Sequence, residues 1–262
     1  MFSRFSTFEY GYNSMAAMNG AHSNMLMDVG VYRIKAGDSI SHTERLKESA
    51  FLLLSGKVTF KWEEQSETVK RTSLFNDNPT CLHVPKDVNV LIIAEEEAEV
   101  LLEMTTNDND FASKFYGVDD CKADIFGDNV LGNTSRRVVR TVFDYDNAPY
   151  SNLVMGEVIN FPGRWSSYPP HGHEQPEIYF YRFDKPTGFG SCFIGEEAFK
   201  ITHNSISAIP GLLTHPQTTA PGYAMWYCWM IRHLDNNPWT SRVNDPDHTW
   251  VLDPDAKIWP DK

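Results

Sequence analysis

The chain has 262 residues, of which 41% are hydrophobic and 13% aromatic, so it can bury one large core or two smaller ones and is not a disordered chain. Its formal net charge of -12 argues against nucleic acid or an anionic membrane surface as a partner. An anionic substrate would require local cations in its site.

The N-terminal segment MFSRFSTFEYGYNSM lacks the apolar core of a signal peptide, and no later stretch approaches the ~20 apolar residues that span a bilayer. We therefore expect a soluble, cytoplasmic protein with no membrane partner. The four cysteines, which have no C-x-x-C spacing, are predicted to be buried thiols in a reducing compartment: Cys81, Cys121, Cys192 and Cys228.

In the first half, short runs rich in β-branched and aromatic residues are bounded by Gly, Pro, Asn and Asp, a pattern typical of β-strands. These runs lie at 29–34, 50–62, 82–84, 88–94 and 99–104. Ser55-Gly56 is a turn signal.

From 105 to 137 the chain is dominated by Asp, Asn and Gly, which indicates a connecting segment. Strand-like runs then resume at 138–143, 153–161, 177–183, 191–193, 205–209 and 225–231. The tail, 236–262, contains Trp239, Trp250 and Trp259, and we expect it to pack against the second half.

The two halves have a similar rhythm, and each has a strand that ends in a Pro-containing turn, HVPKDV and AIPGLLTH. The chain is therefore predicted to be all-β, with two barrel or sandwich domains in tandem. We place the first barrel at 1–110, the connecting segment at 111–136, and the second barrel with its packed tail at 137–262.

The second half contains a candidate metal site. His171, His173 and Glu177 are separated by even offsets, so on paired strands they can face one side. Pro176 interrupts the ladder and predicts a turn before Glu177. A fourth candidate ligand, His215, follows the Pro210-Gly211 turn. Three imidazoles and one carboxylate suit Zn, Mn, Fe, Co or Ni, so we predict a divalent metal cofactor.

The pattern H-x-H-x-x-x-E followed by P-G-x-x-x-H resembles the paired metal-binding motifs of the cupin superfamily. A closer resemblance covers most of the chain, through WSSYPPHGH, EIYFYRF, TGFG, APGY and DPDH, and through LLLSGKVTF and LHVPKDV in the first half. These segments resemble the IolB family, the 5-deoxy-glucuronate isomerases of myo-inositol catabolism. The KduI-type 5-keto-4-deoxyuronate isomerases of pectin breakdown are the next nearest match.

The resemblance implies a bicupin, two tandem double-stranded β-helix barrels of which the first lacks a metal. The residues agree, because the first half has neither an H-x-H nor a Pro-Gly-x-x-x-His motif. His42 and His83 are then ordinary core or surface histidines.

The implied reaction is an aldose–ketose isomerisation, in which a metal offsets charge on the substrate oxygens and a base moves a proton between carbons. Glu177, partly released from the metal, is one candidate base. The other candidates by proximity in sequence are Tyr168, Glu174, Tyr181, Asp247 and His248. The residues alone leave this choice open.

A sugar acid, the expected small-molecule partner, has a carboxylate that an arginine would bind in bidentate geometry. Arg164, Arg182 and Arg232 are the candidates, although strict strand alternation turns Arg182 outward. Tyr179 and Tyr181 share the parity of Glu177 and are predicted to wall the substrate or to fill the barrel.

Two functions of other classes use the same ligands. A cupin dioxygenase would bind Fe(II) and O2 at this site, and a binding module would hold a sugar acid without converting it. Apolar strand surface on two small barrels also leaves room for a homo-oligomer.

Overall fold

The structure, a computed structural model, describes residues 1–260 and consists mainly of β-strands. Short 3₁₀ helices are found at Ser23–Met25, Leu131–Asn133 and Pro246–Leu252. Within residues 1–260 no helix is long and apolar enough to cross a membrane. All four cysteines are free and buried, as predicted.

The first half forms a nine-stranded sheet that curls into a barrel. Its strands are β2 (Gly11–Ala16), β3 (Asp28–Ile34), β4 (Ser39–His42), β5 (Lys47–Trp62), β6 (Gln65–Arg71), β7 (Cys81–Val84), β8 (Val90–Ala94), β9 (Ala98–Thr106) and β10 (Lys114–Tyr116). Every predicted run of this half lies within or overlaps one of these strands. The polar, exposed β6 was not predicted because it has no buried face to impose alternation.

The strand β5 turns this sheet into a barrel. Its first part pairs with β7 and β9, and its second part pairs with β6 and β8. A bulge between Leu53 and Ser55 precedes Gly56, whose φ is 91°. A Cβ at Gly56 would lie 2.2 Å from the Glu97 carbonyl oxygen, so only glycine fits. The predicted Ser55-Gly56 turn is therefore wrong: the strand bends here and continues.

The second half contains a seven-stranded sheet in the order β1-β19-β16-β21-β13-β12-β11 and, beside it, a four-stranded sheet in the order β14-β20-β17-β18. The strands are β1 (Phe2–Arg4), β11 (Ala123–Phe126), β12 (Arg137–Phe143), β13 (Leu153–Asn160), β14 (Trp165–Ser166), β15 (His171–Gly172), β16 (Glu177–Phe183), β17 (Phe189–Ile194), β18 (Glu197–Thr202), β19 (Ser205–Ile209), β20 (Gln217–Thr219), β21 (Met225–Arg232) and β22 (Val243–Asn244). The short strands β15 and β22 pair only with each other among the described residues.

Two strands link the predicted domains more closely than the sequence suggested. The N-terminal β1 pairs with β19 of the second half. Within the predicted connecting segment, β10 pairs with β7 of the first half and β11 with β12 of the second. The segment thus contributes a strand to each barrel, while the exact boundaries at 110 and 136 stay a prediction.

Three apolar clusters fill the molecule. One fills the first barrel and includes Phe51 and Trp62, and another lies inside the second barrel. The third joins the two halves, since it combines Leu52 of β5 with Phe180 of β16 and Cys228 of β21. The alternating faces of β16 and β21 therefore separate the inside of the second barrel from the contact between barrels.

Candidate metal centre

His173, Glu177 and His215 come together inside the second barrel, with ligand atoms that all lie within 4.8 Å of one another. One carboxylate oxygen of Glu177 is 3.2 Å from Nε2 of His173 and 3.2 Å from Nε2 of His215. All three side chains are almost fully buried. Two imidazoles and a carboxylate converging in this way form a donor set that fits a divalent transition metal.

Glu177 is placed by the central strands of the larger sheet. It is the first residue of β16, directly after Pro176, and it pairs with Ile209 on β19 and Ile231 on β21. Its side chain shares the inward face of β16 with Tyr179. The predicted turn at Pro176 thus allows Glu177 to begin a regular inward-facing strand.

The two histidine-bearing loops pack backbone against backbone. The Leu212 amide donates a hydrogen bond to the His173 carbonyl at 2.6 Å. A Cβ at Gly211 would lie 1.9 Å from the Glu174 carbonyl oxygen, and one at Gly172 would lie 3.2 Å from the Leu212 carbonyl oxygen. The glycines of the two sequence motifs therefore allow the close approach that brings His215 to His173.

His171, the fourth predicted ligand, lines the same cavity but is not a member of the three-residue cluster. Its ring centroid is 5.1 Å from that of His215. Nδ1 of His171 lies 3.0 Å from the Pro169 carbonyl oxygen, and Nδ1 of His215 lies 2.9 Å from the Leu213 carbonyl oxygen. Because a carbonyl only accepts, each Nδ1 donates, and the lone pair of each ring is left on Nε2.

Burial keeps these imidazoles neutral. It lowers the pKa of His171 to about 3, with further lowering by the His215 ring and the Arg242 charge. Burial also lowers the pKa of His215, which the Glu177 carboxylate partly offsets. Neutral imidazole is the form that binds a metal ion.

The cluster opens into a cavity of about 180 Å³ that strands of the seven-stranded sheet line together with the histidine-bearing loops and the tail. Aromatic and aliphatic side chains form part of its wall, but most of the lining residues are polar or charged. Besides the four predicted ligands, its polar and charged lining residues are Arg137, Thr141, Asp144, Ser167, Tyr179, Tyr227 and Arg242.

The two predicted tyrosines have different positions. Tyr179 lines the cavity, where its ring lies 5.9 Å from that of His215 and its Oη lies 3.3 Å from the Ser167 hydroxyl. Burial raises its pKa, so it stays a neutral O–H donor. Tyr181 points inward but is fully buried outside the cavity lining, where it donates to Ser207 at 3.0 Å.

The three arginines proposed from the sequence lie outside this cavity. Arg182 extends from the outer face of β16 and pairs with Glu99 of the first half at 2.9 Å. Its side chain therefore points outward, as strict strand alternation predicts. Arg232, the last residue of β21, lies 3.5 Å from Asp235. Arg164 lines a shallow surface depression.

The base candidates taken from neighbouring sequence also lie elsewhere. Tyr168 packs on Trp165 and lines an external groove that Trp250 also lines. His248 and Asp247 are exposed in the C-terminal 3₁₀ helix. Glu174 faces the tail, where its carboxylate accepts from the Asn237 amide at 2.5 Å.

Three charged residues of the cavity were missed: Arg137, Asp144 and Arg242. Arg137 had a detectable signal, because it shares its parity with Val139 and Thr141, which also line the cavity. The strand was predicted to begin at 138, one residue too late. Arg242 lies in the tail and has no periodic signal.

The tail covers the metal end of the cavity. Trp239 packs on Trp229 at 5.7 Å and on His173 at 6.1 Å between ring centroids. Further along, β22 pairs with β15, the strand that contains His171. The packing prediction is thus correct for Trp239 but wrong for Trp259, which is 86% exposed. Residues 261–262 lie outside the described part of the tail.

Comparison with known proteins agrees with this architecture. A family model described as the KduI/IolB family matches residues 1–251. The 5-deoxy-glucuronate isomerase of Bacillus licheniformis is 27% identical over 242 residues, which cover 85% of this chain and 86% of that protein.

Two solved structures share the fold. An IolB-like protein from Salmonella typhimurium LT2 superimposes with a TM-score of 0.86 at 18% identity and covers 96% of this chain and 98% of its own. A cupin 2 conserved barrel domain protein from Leptotrichia buccalis gives a TM-score of 0.53 at 12% identity, over 87% of this chain and 92% of its own.

The fold and the inward-facing His/Glu cluster define a two-barrel cupin with a candidate divalent-metal site. Within that class, the chain belongs to the KduI/IolB family. Both the predicted bicupin fold and the recognised family are confirmed.

Proposed function

We propose that this protein is a metal-dependent aldose–ketose isomerase that converts 5-deoxy-D-glucuronate to 2-deoxy-5-keto-D-gluconate in myo-inositol catabolism. The observation that carries the proposal is a histidine–glutamate cluster facing a small cavity, in a chain aligned over 85% of its length with a protein named 5-deoxy-glucuronate isomerase. The sugar acid is the small-molecule partner. A homo-oligomer remains a prediction.

In this proposal His173, Glu177 and His215 hold the ion, with His171 as the fourth ligand. The donor set accepts Zn, Mn, Fe, Co or Ni. When bound, the ion supplies Lewis-acid stabilisation of negative charge on the substrate oxygens. The carbonyl contacts of His171 and His215 orient both rings for this task.

The isomerisation moves hydrogen from C2 to C1 and a proton from the C2 oxygen to the C1 oxygen, without any external oxidant or reductant. Asp144 and Glu177 are the carboxylates that line the cavity. Because Glu177 is engaged by both histidines, we expect Asp144 to take and return the carbon-bound proton.

Two hydroxyl groups of the cavity are candidates for holding the substrate oxygens while the oxygen-bound proton moves between them. The hydroxyls of Tyr179 and Ser167 lie 3.3 Å apart at the cavity wall, and the high pKa of the buried Tyr179 keeps its proton in place as a hydrogen-bond donor. These groups hold the substrate oxygens while the surrounding aromatic wall excludes water.

The proposal is tested by following 5-deoxy-D-glucuronate by NMR with metal-loaded protein, with chelated protein, and with His215→Ala. We expect ketose formation only with metal, and a loss of metal content in His215→Ala, since a ligand is removed. His22→Ala is the matched control, because His22 contacts Ser3 and does not line the cavity, so this variant should leave both unchanged. No turnover by fully metal-loaded wild-type protein would refute the isomerase.

The same samples decide between the other functions. Conversion of 5-keto-4-deoxyuronate in place of 5-deoxy-glucuronate would indicate the other isomerase of the family resemblance. Oxygen consumption with Fe(II) would indicate a dioxygenase. Saturable sugar-acid binding without turnover would indicate a binding module.

A further inference from the structure

The second barrel contains a buried arginine that forms no ion pair with any acidic residue in 1–260. Arg137 is 6% exposed, yet none of the carboxylates in residues 1–260 lies within 4.0 Å of it. Its Nη1 donates to the Ser135 carbonyl at 2.8 Å, and its guanidinium lies 5.6 Å from the Phe126 ring centroid. A guanidinium buried in this way retains an uncompensated positive charge.

Each of the other buried arginines, in contrast, has a carboxylate within 4.0 Å. Arg71 binds Glu157 through both guanidinium nitrogens at 2.6 and 2.8 Å, and Arg140 lies 3.5 Å from the same carboxylate. Arg232 has Asp235 within reach. In a chain with a net charge of -12, a buried arginine without an acid partner is therefore a specific feature of this cavity.

A second arginine faces the same space. Arg242 is exposed, unlike Arg137, but it also lines the cavity and forms no ion pair with any residue in 1–260. The same cavity is lined by Arg137 and by His171 beside the candidate metal site. The two cations and the candidate metal site thus occupy one continuous cavity.

Arg242 is held in place by its neighbours in the tail. It directly precedes β22, which pairs with β15 next to His171. Upstream, the Gln175 side chain donates to the Asn237 carbonyl at 2.8 Å, and the Trp239 amide donates to His233 at 2.8 Å. The barrel thus supplies one arginine from the strand β12 and the tail supplies the other.

The charges of the lining favour an anionic ligand. Glu177 and Asp144 balance Arg137 and Arg242, so a bound divalent ion leaves the cavity with excess positive charge. The guanidinium group of an arginine matches the two oxygens of a carboxylate better than the ammonium group of a lysine does.

We infer that Arg137 and Arg242 bind the carboxylate of the sugar acid, opposite the end that reacts at the metal site, and thereby select uronates over neutral sugars. This inference rests on the proposed function for its substrate. Its basis is the pair of arginines without acid partners that shares a cavity with the histidine–glutamate cluster.

The test uses metal-loaded protein and the variants Arg137→Met, Arg137→Lys and Arg242→Gln. Turnover of 5-deoxy-D-glucuronate is compared with that of 5-deoxy-D-glucose, in which a hydroxymethyl group replaces the carboxylate. Calorimetry measures the binding of D-gluconate, which has no aldehyde and cannot isomerise, against D-sorbitol. Arg45→Gln is the matched control, because Arg45 is exposed in the first barrel.

We expect Arg137→Met and Arg242→Gln each to raise KM for the acid and weaken gluconate binding by about ten- to a hundredfold, the effect of losing a charged hydrogen bond. Metal content and turnover of the neutral sugar should stay near wild type, and Arg137→Lys should recover part of the binding. Arg45→Gln should match wild type.

Unchanged KM and gluconate affinity in both variants would overturn the inference, as would an equal loss for acid and neutral sugars. If wild-type protein binds gluconate through the arginines but turns over no sugar, the proposed function fails while the anion site stands. If wild-type protein turns over the acid and the arginine variants behave like wild type, the proposed function stands while the anion site fails.

Discussion

At the scale of single residues, the two carboxylates of the cavity have different surroundings. Glu177 contacts His173 and His215 through the same oxygen. Asp144 is half-buried, and its Oδ1 accepts from the Asp146 amide at 2.9 Å. A carboxylate shared between two imidazoles suits metal binding, whereas one anchored by a single amide keeps an oxygen for proton transfer.

We predict that Asp144→Asn lowers kcat by about 10²- to 10⁴-fold, the usual contribution of a positioned base, while metal content stays at the wild-type level. Glu177→Gln should instead lose the metal. Asp146→Asn, in the same turn but exposed, is the control and should leave kcat unchanged. Wild-type kcat in Asp144→Asn, measured beside an inactive but metal-loaded Glu177→Gln, would assign the base to Glu177.

At the scale of elements, the site depends on the approach of two loops that the strands place side by side. The loop that follows β19 contributes His215. It passes so close to the His173 loop that the Glu174 carbonyl leaves no room for a Cβ at Gly211. The strands determine where these loops begin, and the glycines determine how closely they pack.

We predict that Gly211→Ala lowers metal affinity by at least about tenfold, comparable to the loss of a group that orients a ligand, and also lowers the melting temperature. The added Cβ would force the Glu174 carbonyl away and take His173 with it. Gly117→Ala is the control, since its Cβ would meet nothing closer than 3.5 Å. Isothermal metal titration and thermal unfolding measure both effects, and equal affinities for the two variants would contradict the prediction.

At the scale of the whole molecule, the contact between the barrels buries polar groups in a largely apolar layer. Glu48 is satisfied there by His83 at 2.8 Å, Asn107 at 3.0 Å and Ser151 at 2.8 Å. Glu103 is also fully buried, but neither of its carboxylate oxygens has a hydrogen-bond partner. Burial, reinforced by the Glu48 charge, raises the pKa of Glu103 well above its ordinary value.

We predict that Glu103→Gln stabilises the protein at neutral pH. The raised pKa in the folded state means that the contribution of protonated Glu103 is fully present below the unfolded pKa, near 4.5, and is lost as pH rises toward the folded pKa. A glutamine side chain does not ionise, so the variant does not lose this free energy of unfolding as pH rises. Denaturant unfolding should give similar free energies at pH 4 and a widening advantage for the variant above it.

Glu67→Gln, an exposed change on β6, is the control and should not show this pH dependence. A variant that is less stable than wild type across the whole range would contradict the account of a buried, unpartnered carboxyl group.

The sequence by itself determined the all-β class and the strand cores, and it predicted a quartet of candidate metal ligands, of which the structure clusters His173, Glu177 and His215. Alternation is a local property, and the H-x-H-x-x-x-E and Pro-Gly-x-x-x-His segments place their residues through strand parity and turns. The strand at Glu177 was predictable for this reason, and so was the outward direction of Arg182.

Only the tertiary structure decided which charged groups join that quartet. Arg242 and Arg137 are far apart in the chain, and the fold of the tail over the barrel brings both to one cavity. Of the predicted arginines, Arg182 instead pairs with Glu99 of the first half and Arg232 lies near Asp235, while Arg164 lines a surface depression. Parity specifies the face on which a side chain lies, but its neighbours across sheets depend on how the sheets curl and pack, which a local pattern does not encode.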